Sequence, residues 1–314
     1  MINSTAAYRL SVLLVTFDHE KYIYQALQSL FGQLLDEPVE VIVADDASSD
    51  RTLEIIHQFD DIDGRFKIRY LDTIKNLGIT KNYQRGFAAC TGRYVAVLEG
   101  DDYWTSPNKL LRQLNFLENH WECDLCSVNY FVYQERTAHI SARTQIGSGH
   151  RFIDAQDLIA DNLVGNFSTC MYRKSALDAL PSDLFDIKSY DWIVNICVAS
   201  KTLIGFLDEP MSVYRLHSEG AWSQTKPADK LKMQLTLIPE YDALTGHMFH
   251  ENFANLASKL RISIHRLEIG LPTRQALSSL RDYIPPFMLL IVRSILPPIF
   301  IRWCRKLFSG NGKA

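Results

Sequence analysis

Residues 94–104 read YVAVLEGDDYW: an apolar run from Tyr94 to Leu98 ends in Glu99, Asp101 and Asp102. A short continuous apolar run fits a strand buried on both faces, as in a parallel sheet covered by helices. Carboxylates crowded at the end of such a strand repel one another, and a cation is the usual remedy.

The chain around this stretch repeats the same plan. Leu10–Val15 and Val39–Ala44 are short apolar runs, and between them a helical segment from Lys21 to Leu35 sets Ile23, Leu27, Leu30 and Leu34 on one face. A helix over residues 51–59 leads to the run Ile68–Leu71, and an amphipathic helix from Ile79 to Cys90 leads back to Tyr94. This alternation predicts an α/β fold, Rossmann-like, with a mostly parallel, right-handed sheet flanked by helices. Sheets of that kind bind ligands outside the carboxyl ends of their strands. Here those ends carry Thr16-Phe17-Asp18, Asp45-Asp46 and Glu99-Gly100-Asp101-Asp102. Any one cluster reads equally as a solvated turn or a helix cap. Three at successive strand ends predict one polar crevice.

Composition narrows the ligand. The 314 residues are 47% hydrophobic, enough for a substantial core, and carry a net charge of -3 without a basic stripe. Nucleic acid is therefore not expected as a partner. No G-x-G-x-x-G follows the first strand and no G-x-x-x-x-G-K-[ST] loop occurs, which disfavours the two common glycine-rich phosphate cradles. A nucleotide diphosphate would have to be neutralised otherwise, by a divalent ion on Asp101 and its neighbours. Six cysteines lie scattered in apolar segments and Met1–Ala7 is short and polar, which together suggest a reducing, cytoplasmic setting. Cys123 and Cys126 form a C-x-x-C pair within CDLCSVNYFVY, but in a strand side chains three apart face opposite ways, and metal or redox chemistry is not expected there.

Four stretches taken together, SVLLVTFDHEKYIYQALQSL (11–30), VIVADDASSDRT (41–52), NLGITKNYQRGFAACTGRYVAVLEGDDYW (76–104) and SYDW (189–192), resemble in order and spacing the family 2 glycosyltransferases with the GT-A fold. The resemblance spans about residues 8–220. It implies an inverting enzyme that moves a sugar from a nucleotide diphosphate donor, usually a UDP-sugar, to an acceptor hydroxyl with Mn²⁺ or Mg²⁺. Thr16 and Phe17 then stand where the family contacts the base, and Asp46, with Asp45 beside it, where a carboxylate meets uracil or ribose. Asp18 stands where an Asn is common. Asn76, Gly78 and Lys81 match the loop and helix start that border the donor. The D-x-D metal motif corresponds to Glu99-Gly100-Asp101, with Asp102 following; Glu99 departs from the usual first Asp, and Asp101 is the implied metal ligand. Asp191 matches the catalytic base, a role that suits a carboxylate facing the anomeric carbon from the acceptor side. VYRLHSEGAWS also resembles a family pattern: His217 would reach the metal or diphosphate, or else be a surface loop histidine, and Arg215 would offset phosphate charge. Trp104 and Trp222 are either walls against sugar faces or packed side chains.

These readings give a transferase domain over 1–222, a helical appendage over 223–283 and a tail over 284–314. In the appendage, helical spacing recurs from Lys230 to Leu244 and from His247 to Ile269, with Phe249, Phe253, Leu256, Leu260 and Ile264 on one stripe. The tail is apolar from 284 to 301 except for Arg293 and Ser294, is broken by Pro pairs at 285–286 and 297–298, and ends in Trp303 and basic residues. Its unbroken part is too short to span a bilayer, which leaves a monotopic contact with the inner face of the membrane, or burial against protein. A membrane contact would suit a glycan or lipid-linked acceptor in bacterial polysaccharide or glycolipid synthesis. Two other functions share parts of the pattern. A metal-dependent nucleotidyltransferase would need a glycine-rich basic loop after the first strand, where TFDHEKY has no glycine, and a non-catalytic sugar-nucleotide-binding module would bind donor without turnover. The sequence does not indicate an oligomeric state.

Overall fold

The computed structural model describes residues 8–188, 191–218, 220 and 225–268. It opens with β1 (Leu10–Thr16), α1 (Ile23–Phe31), β2 (Val39–Asp45), α2 (Thr52–His57), β3 (Phe66–Tyr70), α3 (Ile79–Ala89) and β4 (Tyr94–Glu99). These strands lie in the order β3-β2-β1-β4 and every pairing among them is parallel, as the alternation requires. Register is fixed by burial on both faces. Leu10, Val12 and Leu14 of β1 join Ile23, Ala26, Leu27 and Leu30 of α1 in the main core, while Leu13 turns the other way and meets α3 at Gly86. α1 ends at Phe31, four residues before the expected limit, so Leu34 is exposed and Leu35 takes the buried place.

Beyond Glu99 the sheet becomes mixed. β5 (Tyr103–Trp104), α4 (Lys109–Asn119), β6 (Cys123–Gln134), β7 (His139–Ala142), β8 (His150–Ile153), α5 (Ala155–Ala160), β9 (Cys170–Arg173), α6 (Lys174–Asp178), α7 (Asp191–Ala199) and β10 (Leu203–Leu216) follow. β9 inserts antiparallel between β4 and β6, β10 runs parallel to β6, and β5, β7 and β8 pair antiparallel at the periphery. The parallel expectation thus holds for the first four strands and gives way to a ten-stranded mixed sheet over the described residues. Cys123 and Cys126 lie in β6 as expected, both buried, and burial pushes both thiols upward in pKa, away from the reactive thiolate.

Two compact units divide at residue 258. The first holds the sheet, α8 (Pro227–Leu244) and the first turns of α9 (His250–Glu268); the expected boundary at 222 falls outside the described residues. In this unit Ile238 and Tyr241 are buried, and Tyr241 meets Trp192 edge-on with ring centroids 6.3 Å apart. In the second unit the described residues are 259–268, where Leu260 and Ile264 of the expected stripe are buried. The tail over 284–314 and Trp222 lie outside the described residues. Among the described residues no helix is long and apolar enough to cross a membrane.

Leu14 is fully buried in the central strand of the parallel half. Leu14→Ala should lower unfolding stability by about 2–5 kcal/mol in chemical denaturation, the range for a leucine whose cavity cannot collapse; a smaller loss would show that this core can relax.

Candidate active site

The order β2-β1-β4 sets the three polar clusters side by side. Thr16 is in register with Asp45 and Val15 with Glu99. The backbone continues the knitting past the strand ends: Gly100 N–H donates to the Val15 carbonyl at 2.8 Å and Asp46 N–H to the Thr16 carbonyl at 3.0 Å. Gly100 is forced by space, since a Cβ there would stand 2.7 Å from both Thr16 Oγ1 and His19 Nδ1. Only glycine lets the acidic turn lie this close to the end of β1.

The three carboxylates of that turn have different surroundings. Asp102 is 1% exposed and faces inward: its Oδ1 accepts the Arg215 backbone N–H at 2.9 Å and its Oδ2 accepts from Asn166 Nδ2 at 3.4 Å. Burial, then the nearby Asp101 charge, pushes its carboxyl well above the usual range. Glu99 accepts from Tyr83 Oη at 2.8 Å and its backbone N–H donates to Ser168 Oγ at 3.0 Å. Its carboxyl is also raised well above the usual range, first by burial and then by Asp102 and Asp101. Asp101 goes the other way. Burial opposes its charge, but His217 Nε2 at 3.0 Å from Oδ2 and His19 Nε2 at 3.8 Å outweigh that and hold the carboxyl below the usual range. Asp101 is therefore the member of the trio whose charge its neighbours favour, and its side chain keeps 20% exposure.

β5 explains how His217 arrives. The two residues after the acidic turn pair with β10, Tyr103 opposite Val213 and Trp104 opposite Ser212, and so carry Arg215 and His217 alongside. Arg215 is buried. Its Nε donates to the Asp101 carbonyl at 2.8 Å, its Nη2 to Gln25 at 2.7 Å, and its guanidinium lies near the rings of Tyr22, Tyr103 and Tyr133. In this arrangement the charge holds the acidic turn in place. His217 is 4% exposed, contrary to a surface loop histidine, and packs on the Tyr22 ring. Trp104 is not a sugar wall: it is buried, with Nε1 donating to the Ser168 carbonyl at 2.8 Å and Lys109 Nζ over its ring.

At the ends of β1 and β2, Phe17 projects at 43% exposure beside buried Thr16. Asp18, at φ +53°, accepts the Ser49 N–H at 2.7 Å and so ties the end of β1 to the loop after β2. Asp45 accepts from Ser48, and Asp46 accepts the backbone N–H groups of Leu77 and Gly78, so both buried acids shape loops. Asn76 also receives the Gly78 N–H, which leaves Gly78 at φ +84° at the start of α3, and Lys81 one turn on pairs with Asp186 at 2.6 Å. Asp191 begins α7, where Asn162 Nδ2 donates to it at 3.3 Å. Desolvation by surrounding protein raises its carboxyl to about 7, although the residue keeps partial solvent access. Its charge contributes to the raised carboxyl of Glu99, so the two share one electrostatic space.

Sequence reasoning missed His19, Tyr83, Asn162, Asn166 and Ser168. His19 had a local signal, standing three residues after Thr16, whose Oγ1 it meets at 3.2 Å. The others come from α3 and from the segment around β9, with no periodicity linking them to the acidic turn.

The profile described as Glycosyl transferase family 2 matches residues 11–180. The uncharacterized protein Rv1520 of Mycobacterium tuberculosis is 32% identical over 256 residues, which cover 77% of this chain and 70% of that protein. Among solved structures, S. aureus TarS 1-349 in complex with UDP-GlcNAc superposes with a TM-score of 0.57 at 19% identity, covering 78% of this chain and 73% of that one. The mannosyltransferase PcManGT from Pyrobaculum calidifontis, solved with GDP-Man and Mn²⁺, gives 0.54 at 13% identity over 94% of this chain and 82% of its own. These two likenesses establish a shared fold.

Gly100→Ala should destabilise the protein by about 1–3 kcal/mol, the cost of overpacking a filled site. Thermal unfolding checks this, and a melting temperature equal to wild type would show that the turn has room to move.

Proposed function

The chain belongs to glycosyl transferase family 2 and is a glycosyltransferase, and from that premise we propose that it transfers a sugar from a nucleotide diphosphate donor, a UDP-sugar, to an acceptor hydroxyl by a single inverting displacement. The observation that carries this reading is the contrast between two carboxylates: Asp101 with two imidazoles at 3.0 and 3.8 Å that hold it below the usual range, and Asp191 at the start of α7, raised to about 7.

The residues fit a divalent cation. Three crowded carboxylates, two of them pushed upward in pKa by burial and then by one another's charge, are what a cation would relieve, and Asp101 offers a partly exposed carboxylate with His217 beside it. Asp101 and His217 would hold Mn²⁺ or Mg²⁺, and the imidazole donor favours Mn²⁺. Such an ion, when bound, withdraws charge from the leaving diphosphate. Support for a cation and a nucleotide sugar comes from the PcManGT complex with GDP-Man and Mn²⁺ and the TarS complex with UDP-GlcNAc.

The chain's own residues do the rest. Phe17 offers an aromatic face to the base, and the loop of Asn76, Gly78 and Lys81, fixed by Asp46, borders the donor. Arg215 fixes the turn that carries Asp101. Asp191 accepts the proton of the acceptor hydroxyl as the new glycosidic bond forms, and Asn162 orients its carboxylate. A carboxyl near 7 suits proton abstraction at neutral pH, because a stronger acid would be a poor base and a weaker one would stay protonated. The acceptor is a glycan or lipid-linked glycan of bacterial surface-polysaccharide synthesis, and the enzyme works in the cytoplasm at the inner face of the membrane. The apolar and basic sequence of 284–314 supports that placement.

Asp191→Asn should cut turnover by about 10²–10⁴-fold while leaving donor affinity unchanged, as measured by product formation and by titration calorimetry. Full turnover in this variant would remove Asp191 from the reaction. The pH dependence has a definite sign. The base works deprotonated, so wild-type turnover should rise as pH rises through about 7 and then level off. A profile flat across that window would contradict the assignment.

A further inference from the structure

A second group of side chains, outside the site above, converges where α8 ends and α9 begins. Asp242 is 6% exposed in the last turn of α8. Its Oδ2 lies 3.0 Å from His247 Nδ1 and 2.7 Å from His250 Nδ1, and one ligand atom from each residue lies within 4.8 Å of the others. Its Oδ1 is buried and has no hydrogen-bond partner among the described residues. The connecting turn is built to present these groups. Gly246 and His247 both sit at φ +61°, and the His247 N–H returns to the Asp242 carbonyl at 2.9 Å.

We propose that Asp242, His247 and His250 form a zinc-class cation site that staples the α8–α9 corner. A buried carboxylate normally finds partners for both oxygens. Here both imidazoles aim at one oxygen and the other is bare, an imbalance that a cation on the carboxylate removes. If an ion replaces the two Nδ1 protons, two nitrogen lone pairs and the carboxylate face one point. Tetrahedral zinc, with bonds of about 2.0–2.1 Å, sets its ligand atoms about 3.3 Å apart. The present separations of 2.7 and 3.0 Å need to open by only a few tenths of an ångström, and the histidine side chains, 67% and 72% exposed, have room to do so. Two imidazoles with one carboxylate select zinc, nickel or copper over magnesium, which prefers oxygen. The fourth position is left to water, and the effect is structural. One ion ties the last turn of α8 to the first residue of α9.

The test uses the full chain without a polyhistidine tag, stripped with chelator and titrated with Zn²⁺ alone against a chromophoric competitor. Wild type should bind one equivalent more than H247A/H250A, and each single variant should lose affinity by about tenfold or more. Zn²⁺ should raise the melting temperature of wild type more than that of the double variant. Co²⁺ should give a visible d–d band that the double variant lacks. Because both histidines are exposed, the variants should fold, and a native far-ultraviolet circular dichroism spectrum with cooperative melting of the metal-free double variant checks this. Equal stoichiometry, equal affinity and the same Co²⁺ spectrum in wild type and double variant would overturn the site, leaving a carboxylate capped by two imidazoles.

Discussion

The repulsion among Glu99, Asp101 and Asp102 is the constraint on which the site depends. Three acids crowd the end of one buried strand, and only one of them is held below the usual carboxylate range by its neighbours. The fold selects which one by supplying partners unequally. Asp102 is turned inward to Arg215 and Asn166, Glu99 is capped by Tyr83, and Asp101 alone meets two histidines. The electrostatic pattern follows from which neighbours the sheet brings to each carboxylate.

That choice is made by backbone as much as by charge. Gly100 lets the turn press against Thr16 and His19, and β5 pairs at once with β10, so one long strand delivers Arg215 and His217 to the same turn. Arg215 then commits its hydrogen bonds to the Asp101 carbonyl and Gln25 within a cage of tyrosine rings. Buried arginines are destabilising unless each donor is placed, and here the placement holds the turn in position. The candidate site and the architecture therefore share residues: a change that loosens β10 would be felt at Asp101.

Much of this was legible in the sequence, and the reason is local. β1, β2 and β4 are continuous apolar runs, α1 and α3 carry helical spacing, and polar residues mark the strand ends, so the parallel half and its three clusters follow from patterns a few residues long. What lay beyond reach was long-range. The antiparallel entry of β9 between β4 and β6 has no periodic signature, and it brings Asn166 and Ser168 to the acidic turn. Trp104 was open to two readings because a tryptophan beside an acidic motif looks the same in sequence whether it faces a ligand or the core. Its indole N–H bound to the Ser168 carbonyl decides for the core. His217 was placed near Asp101 by a family pattern; its burial against Tyr22 is a fact of packing that sequence spacing does not carry.

The most direct measurement is a thermal-shift panel of nucleoside diphosphates and nucleotide sugars, with and without Mn²⁺, on wild type and Asp101→Asn. A ligand that prefers the folded state raises its melting temperature by mass action. The expected result is a shift with UDP or one UDP-sugar that needs Mn²⁺ in wild type and is absent in the variant. A nucleotide shift that is the same with and without Mn²⁺, and the same in Asp101→Asn, would contradict the assignment of this turn as the cation-dependent donor site.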